Sequence, residues 1–297
     1  MNSSATIVFS RAFRRTSFKV GFVIVAALVL IAALATYIAP YPHESLGYVD
    51  PEVQARGCQP PSAEHLLGTD EKGRDLLSRI LVATRVALLQ SVLVVGLSLA
   101  IGIIVGTLAA YYKGVIEVVL SYFTELFMSI PTIVVAMLFR MTLDFGLHVV
   151  VGALVTVWWA WYARIAYVYA KSVVEMDYVL LAKLSGVGSF KILTRHVIRN
   201  IMQPMIVQAV SDMGSALLEA SSINFLGLGL PPGSPDWGVV LYDGIAAYGI
   251  EVVRRAPWLC LAPGFLILVT VLGFSLVADC LREELDPKLR KKWRLWF

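Results

Sequence analysis

Three acidic side chains stand where acid is costly. Glu125, Asp212 and Glu219 each lie inside a long apolar run. Ionisable groups in such runs mark pathways, partner contacts or interhelical hydrogen bonds. Other chemistry is poorly provided for. His43, His65, His148 and His196 are dispersed, without the i, i+4 spacing of a metal-binding helix, so no metal site is read here. No Ser/His/Asp or Cys/His grouping suggests a nucleophile, so no catalytic residue is assigned. No G-x-x-x-x-G-K-[ST] loop is present to cradle phosphates. The chain therefore reads as a non-enzyme with no cofactor of its own.

The elements that must position these acids follow from composition. The 297 residues are 58% hydrophobic and only 15% charged, against about 25% charged in a soluble domain. Lipid is the implied solvent. Val20–Ala39, Val86–Tyr112 and Ala256–Ala278 carry no Asp, Glu, Lys or Arg, and Phe145–Ala163 carries only His148. Val118–Phe139 carries Glu125, and Ile201–Leu230 carries Asp212 and Glu219. About 20 apolar residues cross a hydrocarbon core, and in lipid the backbone must satisfy itself, so helices are expected. The reading is an all-α integral membrane protein with six transmembrane helices. The first run is too long for the apolar region of a signal peptide and is taken as a retained span.

Lys and Arg set the orientation. With the N-terminus inside, seventeen of the twenty-five basic residues fall on inside segments, so both termini are expected in the cytoplasm. This bias accounts for the net charge of +4, and nucleic acid need not be invoked. Cys58 and Cys260 then share the outer side. A bridge between them would require proximity; isolated apolar cysteines are the simpler reading.

Along the chain, residues 1–19 form a cytoplasmic segment, 20–39 the first span and 40–83 an exoplasmic segment. Residues 84–280 form a five-helix core with a cytoplasmic loop at about 171–199, and 281–297 a basic tail. In the exoplasmic segment Thr69 or Asp70 could cap a short interfacial helix through Leu76, Leu77, Ile80 and Leu81. Gly102 and Gly106 form a small-xxx-small pair for close helix approach, and Pro131 should kink the third span. Trp237, Tyr242 and Trp258 suit a membrane interface.

The loop DYVLLAKLSGVGSFKILTRHVIRN, Asp177 to Asn200, breaks the apolar pattern. Asp177 can cap a short helix with Leu180, Leu181 and Leu184 on one side. Gly186 and Gly188 stop it. Ser189 can cap a second helix through Phe190, Ile192, Leu193, Val197 and Ile198 that runs into the fifth span. The product is a helix–turn–helix knob with an apolar face, which needs either anionic lipid or a groove on a partner.

LAKLSGVGSFKILTRHVIRN resembles the cytoplasmic "EAA" loop of ABC-importer permeases, with Ala182, Gly186, Arg195, His196 and Asn200 on pattern positions. Leu180 stands where that pattern has glutamate, Leu181 replaces its first alanine, and Arg199 stands where a proline is frequent. GTDEKGRDLLSR (Gly68–Arg79), EASSINFLGLGLPPGSPDWG (Glu219–Gly238) and the D-P-x-L-R tail are similar to the dipeptide/oligopeptide/nickel branch, and to the second of its two paralogous permeases. The resemblance implies a type I importer permease fold in a bacterial plasma membrane. It implies a paralogous permease, two cytoplasmic ABC ATPases that bind the ATP, and an extracytoplasmic substrate-binding protein as partners, with membrane lipid around the complex. It implies ATPase coupling through Asp177, Leu181, Ala182, Leu184, Gly186, Phe190, Arg195 and His196. On this reading Asp70, Arg74 and Asp75 are either a charged lip near the binding protein or local ion pairs on an exposed helix. Glu125 is either a pathway group or a partner in an interhelical hydrogen bond. Asp212 faces the pathway or pairs with the sister permease, and Glu219 is structural. An ion-coupled secondary transporter, with Glu125 and Asp212 carrying protons, and a non-transporting scaffold are the readings from other classes.

Overall fold

A computed structural model describes residues 11–46 and 51–285. The remainder, including residues 286–297 of the expected basic tail, lies outside the described residues. Apart from one isolated bridge between Thr69 and Asp75, regular structure among the described residues is helical. The long helices are α1 (Thr16–Ile38), α3 (Leu76–Tyr112), α6 (Leu147–Val174), α9 (Arg199–Phe225) and α12 (Trp258–Leu285). Between them lie α2 (Pro51–Arg56), α4 (Gly114–Met128), α5 (Thr132–Thr142), α7 (Asp177–Leu184), α8 (Ser189–Ile192), α10 (Trp237–Tyr248) and α11 (Val252–Arg255).

Among the described residues four helices are long and apolar enough to cross a membrane: α1, α3, α6 and α12. The pair α4 and α5 makes a fifth if its 81° bend is one broken span. The bend falls at Pro131, whose missing N–H and fixed φ end the α-helical ladder at Met128. Helix α9 has the length to span, but Asp212, Glu219 and its other polar residues keep it from passing on apolarity, so composition and length support four or five crossings rather than six.

Glycine decides how closely the helices approach. A Cβ on Gly102 would stand 2.7 Å from Ala163 N, and one on Gly106 would run into the Ala163 carbonyl and the Ala166 side chain. The α3/α6 contact therefore forms backbone to backbone, as the small-residue pair suggested. Gly21 of α1 and Gly273 of α12 play the same part, a Cβ on Gly21 falling 2.9 Å from Gly273 O. A core cluster built on Val94, Leu154, Tyr162, Ile201 and Met205 joins α3, α6 and α9, and a second, with Leu28, Leu217 and Phe274, joins α1, α9 and α12.

The first and last long helices are clasped together. Arg15, just before α1, pairs with Glu283 and, at 3.0 Å, with Glu284 near the end of α12. The start of the first long helix and the end of the last therefore lie at one end of the molecule, and the knob roots at that end too, since Arg282 reaches Gln208 of α9.

Two expectations are corrected. There is no separate interfacial helix over Leu76–Leu81: those residues are the first turns of α3, which continues to Tyr112, so the boundary drawn at residue 83 falls inside one helix. Its cap is Asp75, which accepts from Ser78 N at 2.8 Å. Thr69 and Asp70 are engaged elsewhere, Thr69 Oγ1 by Gln59 N and Gly57 O, Asp70 by two arginines. Trp237 is fully buried, its Nε1 donating to Ile80 O, and so is a core residue rather than part of an interfacial belt. The three cysteines are unbridged.

Candidate functional sites: a bare knob and two cavities

The knob is firmly rooted and bare at its tip. Val179, Ile192 and Val197 are buried in the α3/α6/α9 core. Tyr111 Oη donates to Ser189 Oγ at 3.1 Å, and Lys183 Nζ sits 4.2 Å from the Tyr111 ring centroid, fixing the knob to the end of α3. Helix α7 closes in a Schellman turn: Val187 N bonds Ala182 O and Gly186 N bonds Lys183 O, both at 3.1 Å. That turn needs the left-handed φ of +77° found at Gly186, where any side chain would be strained. The caps differ from expectation. Met176 and Gly188 hold the N-cap positions without side-chain bonds, while Asp177 and Ser189 are first helical residues. A π-helical turn, Leu193–Ile198, leads into α9.

What this base presents is apolar. Leu184 is 84% exposed and Phe190 81%, with Leu180 and Leu181 exposed beside them. Asp177 and Arg195 are also exposed, Ala182 and His196 half-buried. The His196 ring leans on Tyr178, whose hydroxyl accepts from Asn200. All eight residues singled out for the knob thus fall on one projection.

The acids of the apolar runs are divided between two cavities. Glu125 lies in one of about 280 Å³ between α3, α4 and α6, beside Gly106, Thr124 and Tyr167. Its Oε1 pairs with Arg164 at 3.2 Å, both side chains more than half exposed. Further along the same pair of helices Glu117 accepts from Tyr167 Oη and pairs with Lys171 at 3.2 Å, and Lys113 pairs with Glu175 at 3.4 Å. Asp212 lies in the second cavity, about 440 Å³, at the α4/α5 bend. Glu219 shares it, its Oε2 accepting from Trp158 Nε1 at 3.0 Å. Glu125 and Asp212 are therefore not brought together. Glu219, read as structural, faces the same space as Asp212; the i, i+7 spacing of the two acids was the available signal.

The charged lip does not exist as expected. Asp70, Arg74 and Asp75 are all fully buried, as is Arg79. Asp70 Oδ2 accepts from Arg74 Nε and Arg79 Nη1, each at 2.6 Å. Arg79 reaches on to Asp243 Oδ2 at 3.2 Å and to Ser234 O, and Arg74 to Gly233 O at 3.1 Å. Asp75 meets His65 Nδ1 at 2.9 Å. The three side chains face inward: Asp70 and Arg74, with Arg79, lock residues 68–79 onto residues 233–243, while Asp75 holds His65 and Ser78. Burial, with Asp70 close by, raises the Glu71 carboxyl above its usual range. Nearby, Asp236 caps α10 through Gly238 N and Val239 N, yet full burial pushes its carboxyl up to about 6.

A helical body with several helices long and apolar enough to cross a membrane, acids in its cavities and an exposed apolar knob defines the class, a membrane-crossing subunit. Residues 99–291 match the family model described as the binding-protein-dependent transport system inner membrane component, and residues 5–61 match the N-terminal TM domain of oligopeptide transport permease C. The chain belongs to this family of ABC-importer permeases and is a multi-pass protein of the bacterial inner membrane. It is 33% identical over 271 residues to the dipeptide transport system permease protein DppC of Alkalihalophilus pseudofirmus, covering 91% of this chain and 86% of that one. It is 34% identical to the di/tripeptide transport system permease protein DppC of Pseudomonas aeruginosa (91% and 88% covered). It is 31% identical to the nickel transport system permease protein NikC of Escherichia coli (93% and 95% covered).

Proposed function

We propose that this permease is half of the translocation pathway of an ATP-driven importer for di- or oligopeptides, or a related small cargo such as a nickel complex. Its partners are a paralogous permease, two cytoplasmic ATPases and an extracytoplasmic binding protein. The observation that carries this reading is the knob: two large apolar side chains, Leu184 and Phe190, held bare on a base whose other side is buried. Exposed apolar anchors on a rigid support suit a groove on a soluble partner. The relatives' names support the cargo class.

On this reading there are six crossings: α1, α3, the bent α4–α5 pair, α6, α9 and α12. Helix α9 packs against α3, α6 and α12, so its acids meet protein and cavity instead of lipid, which is why composition undervalues it as a span. The knob and both ends lie in the cytoplasm, and residues 40–75 and 226–257 outside. Closure of the ATPases pushes the knob. The push reaches α3 through Tyr111 and reaches α9 through the π-helical turn, and α9 carries Asp212 and Glu219. The cavities flanking α6 line the path. Glu125 with Arg164 and Asp212 with Glu219 are its polar groups.

The test is the pair Leu184→Asp and Phe190→Asp in the complete importer. Purified variants should lose the ATPase subunits and membrane vesicles should lose ATP-dependent uptake, with the permease pair still in the membrane. Retention of both ATPases and full uptake in the double variant would overturn the docking role, and uptake that survives ATP depletion but stops with an uncoupler would replace the reading with ion coupling.

A further inference from the structure

The 440 Å³ cavity at the α4/α5 bend has a chemical bias. Its walls are Met128, Pro131, Trp158, Trp161, Asp212 and Glu219, so every charge it carries is acidic. No basic group lines it: Arg164 is committed to Glu125 at the other cavity, and Arg282, which bonds Gln208 Oε1 and Ser211 Oγ beside Asp212, offsets part of that acid's charge from outside the lining. Each acid has one oxygen fixed by a neutral donor, Glu219 Oε2 by Trp158 and Asp212 Oδ1 by Gln208 at 2.8 Å. Asp212 Oδ2 is buried and without a hydrogen bond. The fully buried Tyr162 turns its hydroxyl toward Asp212, and the Trp161 indole faces the same acid. The floor of the cavity thus holds buried polar atoms with capacity to spare, and buried polar atoms take partners when one arrives.

We infer that this cavity is a station for a small organic cation, the primary ammonium end of a cargo molecule, held between the two carboxylates and the tryptophan faces. An ammonium group brings three donors, which Asp212 Oδ2 and the free oxygen of Glu219 can accept. Trp158 and Trp161 add cation–π attraction, strongest away from water. The volume suits a small ligand. An anionic end would meet two acids with no cation in the lining, and an acylated end would lose the donors. This rests on the transport reading for its biological meaning, but the site itself can be tested without transport.

The test uses the assembled importer in membrane vesicles, with a cysteine at Met128, a partly exposed wall residue, or at Met141, exposed outside the cavity. The probes are two thiol reagents of similar size, trimethylammonium-ethyl and sulfonatoethyl methanethiosulfonate, with labelling read by mass against vesicles lacking the added cysteine. The cationic-to-anionic rate ratio should be about tenfold higher for Met128→Cys than for Met141→Cys, the local attraction of two acids at low dielectric. Combining Asp212→Asn with Glu219→Gln should erase that difference. Dialanine amide, but not N-acetyl dialanine amide, should slow labelling at position 128. Equal ratios at the two positions, a preference that survives removal of both acids, or a Met128→Cys thiol that neither reagent reaches would each overturn the proposal. A chain that labels as described but supports no ATP-dependent uptake would instead refute the importer reading and leave the cation preference standing.

Discussion

Asp236 and Asp243 are both buried, only seven residues apart, and face opposite surroundings. Asp243 meets Arg79 and the Gly233 amide, so its charge is compensated. Asp236 has the Gly238 and Val239 amides and the Asn224 side chain, and burial outweighs them, lifting its carboxyl from the ordinary 3.8 to about 6. The sign of the consequence follows. Between about pH 4 and 6 the native protein keeps a proton that the unfolded chain has released, so this group's contribution falls as pH rises through that window and is flat above it. A lift of this size corresponds to about 3 kcal/mol. Asp236→Asn retains a capping oxygen and cannot ionise. Its thermal stability in detergent should lose that decline between pH 4 and 6, and a slope matching the parent's would show that Asp236 is not its source. Asp243→Ala should instead be destabilising at every pH, by about 3 kcal/mol, because it leaves the buried Arg74 and Arg79 sharing the Asp70 carboxylate; an unchanged melting temperature would contradict the lock.

At the scale of helices, the glycines separate contact from chance. Gly106 has Ala163 and Ala166 where a side chain would go, whereas Gly96, on the same helix, has nothing within 4 Å. Gly106→Val should therefore force α3 from α6 and cost at least the about 1–3 kcal/mol of an overpacked core, while Gly96→Val should be nearly neutral. Comparing the melting temperatures of the two purified variants checks this, and equal losses would mean that helix propensity, not packing, governs both. The pair at Gly102 and Gly106, the break at Pro131 and the turn at Gly186 were readable in the sequence because each depends on local backbone rules. The cap of α3 and the fate of Asp70, Arg74 and Asp75 were not. A run such as TDEKGRD has the composition of an exposed segment, and its actual partners, Gly233, Ser234 and Asp243, lie over 150 residues away, a pairing that no local pattern encodes. Asp212 was readable as an anomaly, but that Glu219 and not Glu125 shares its cavity depends on how α9 turns against α6.

For the whole molecule, the knob matters only if it moves as one body with the helices behind it. Its base is continuous with α9 through the Leu193–Ile198 turn and is tied to α3 through Tyr111, while α1 and α12 are clasped to each other by Arg15 and by the Gly21/Gly273 contact. A force on Leu184 and Phe190 thus has two stiff routes into the cavity-lining helices, and the Schellman turn between α7 and α8 joins Leu184 to both and sets its angle to Phe190. Gly186→Pro removes the amide that bonds Lys183 O and forbids the φ of +77°. Nothing lies within 4 Å of the position Cβ would take, so packing elsewhere is untouched. The variant should reach the membrane in normal amounts and assemble its helical core. Uptake should fall about tenfold or more, and stimulation of ATP hydrolysis by the loaded binding protein should fall with it, since a tenfold loss needs only about 1.4 kcal/mol of lost coupling. Gly186→Asn, which tolerates the left-handed conformation better than other side chains, should retain much of the activity. If the proline variant couples normally, force does not travel through this turn and the knob is a passive attachment point.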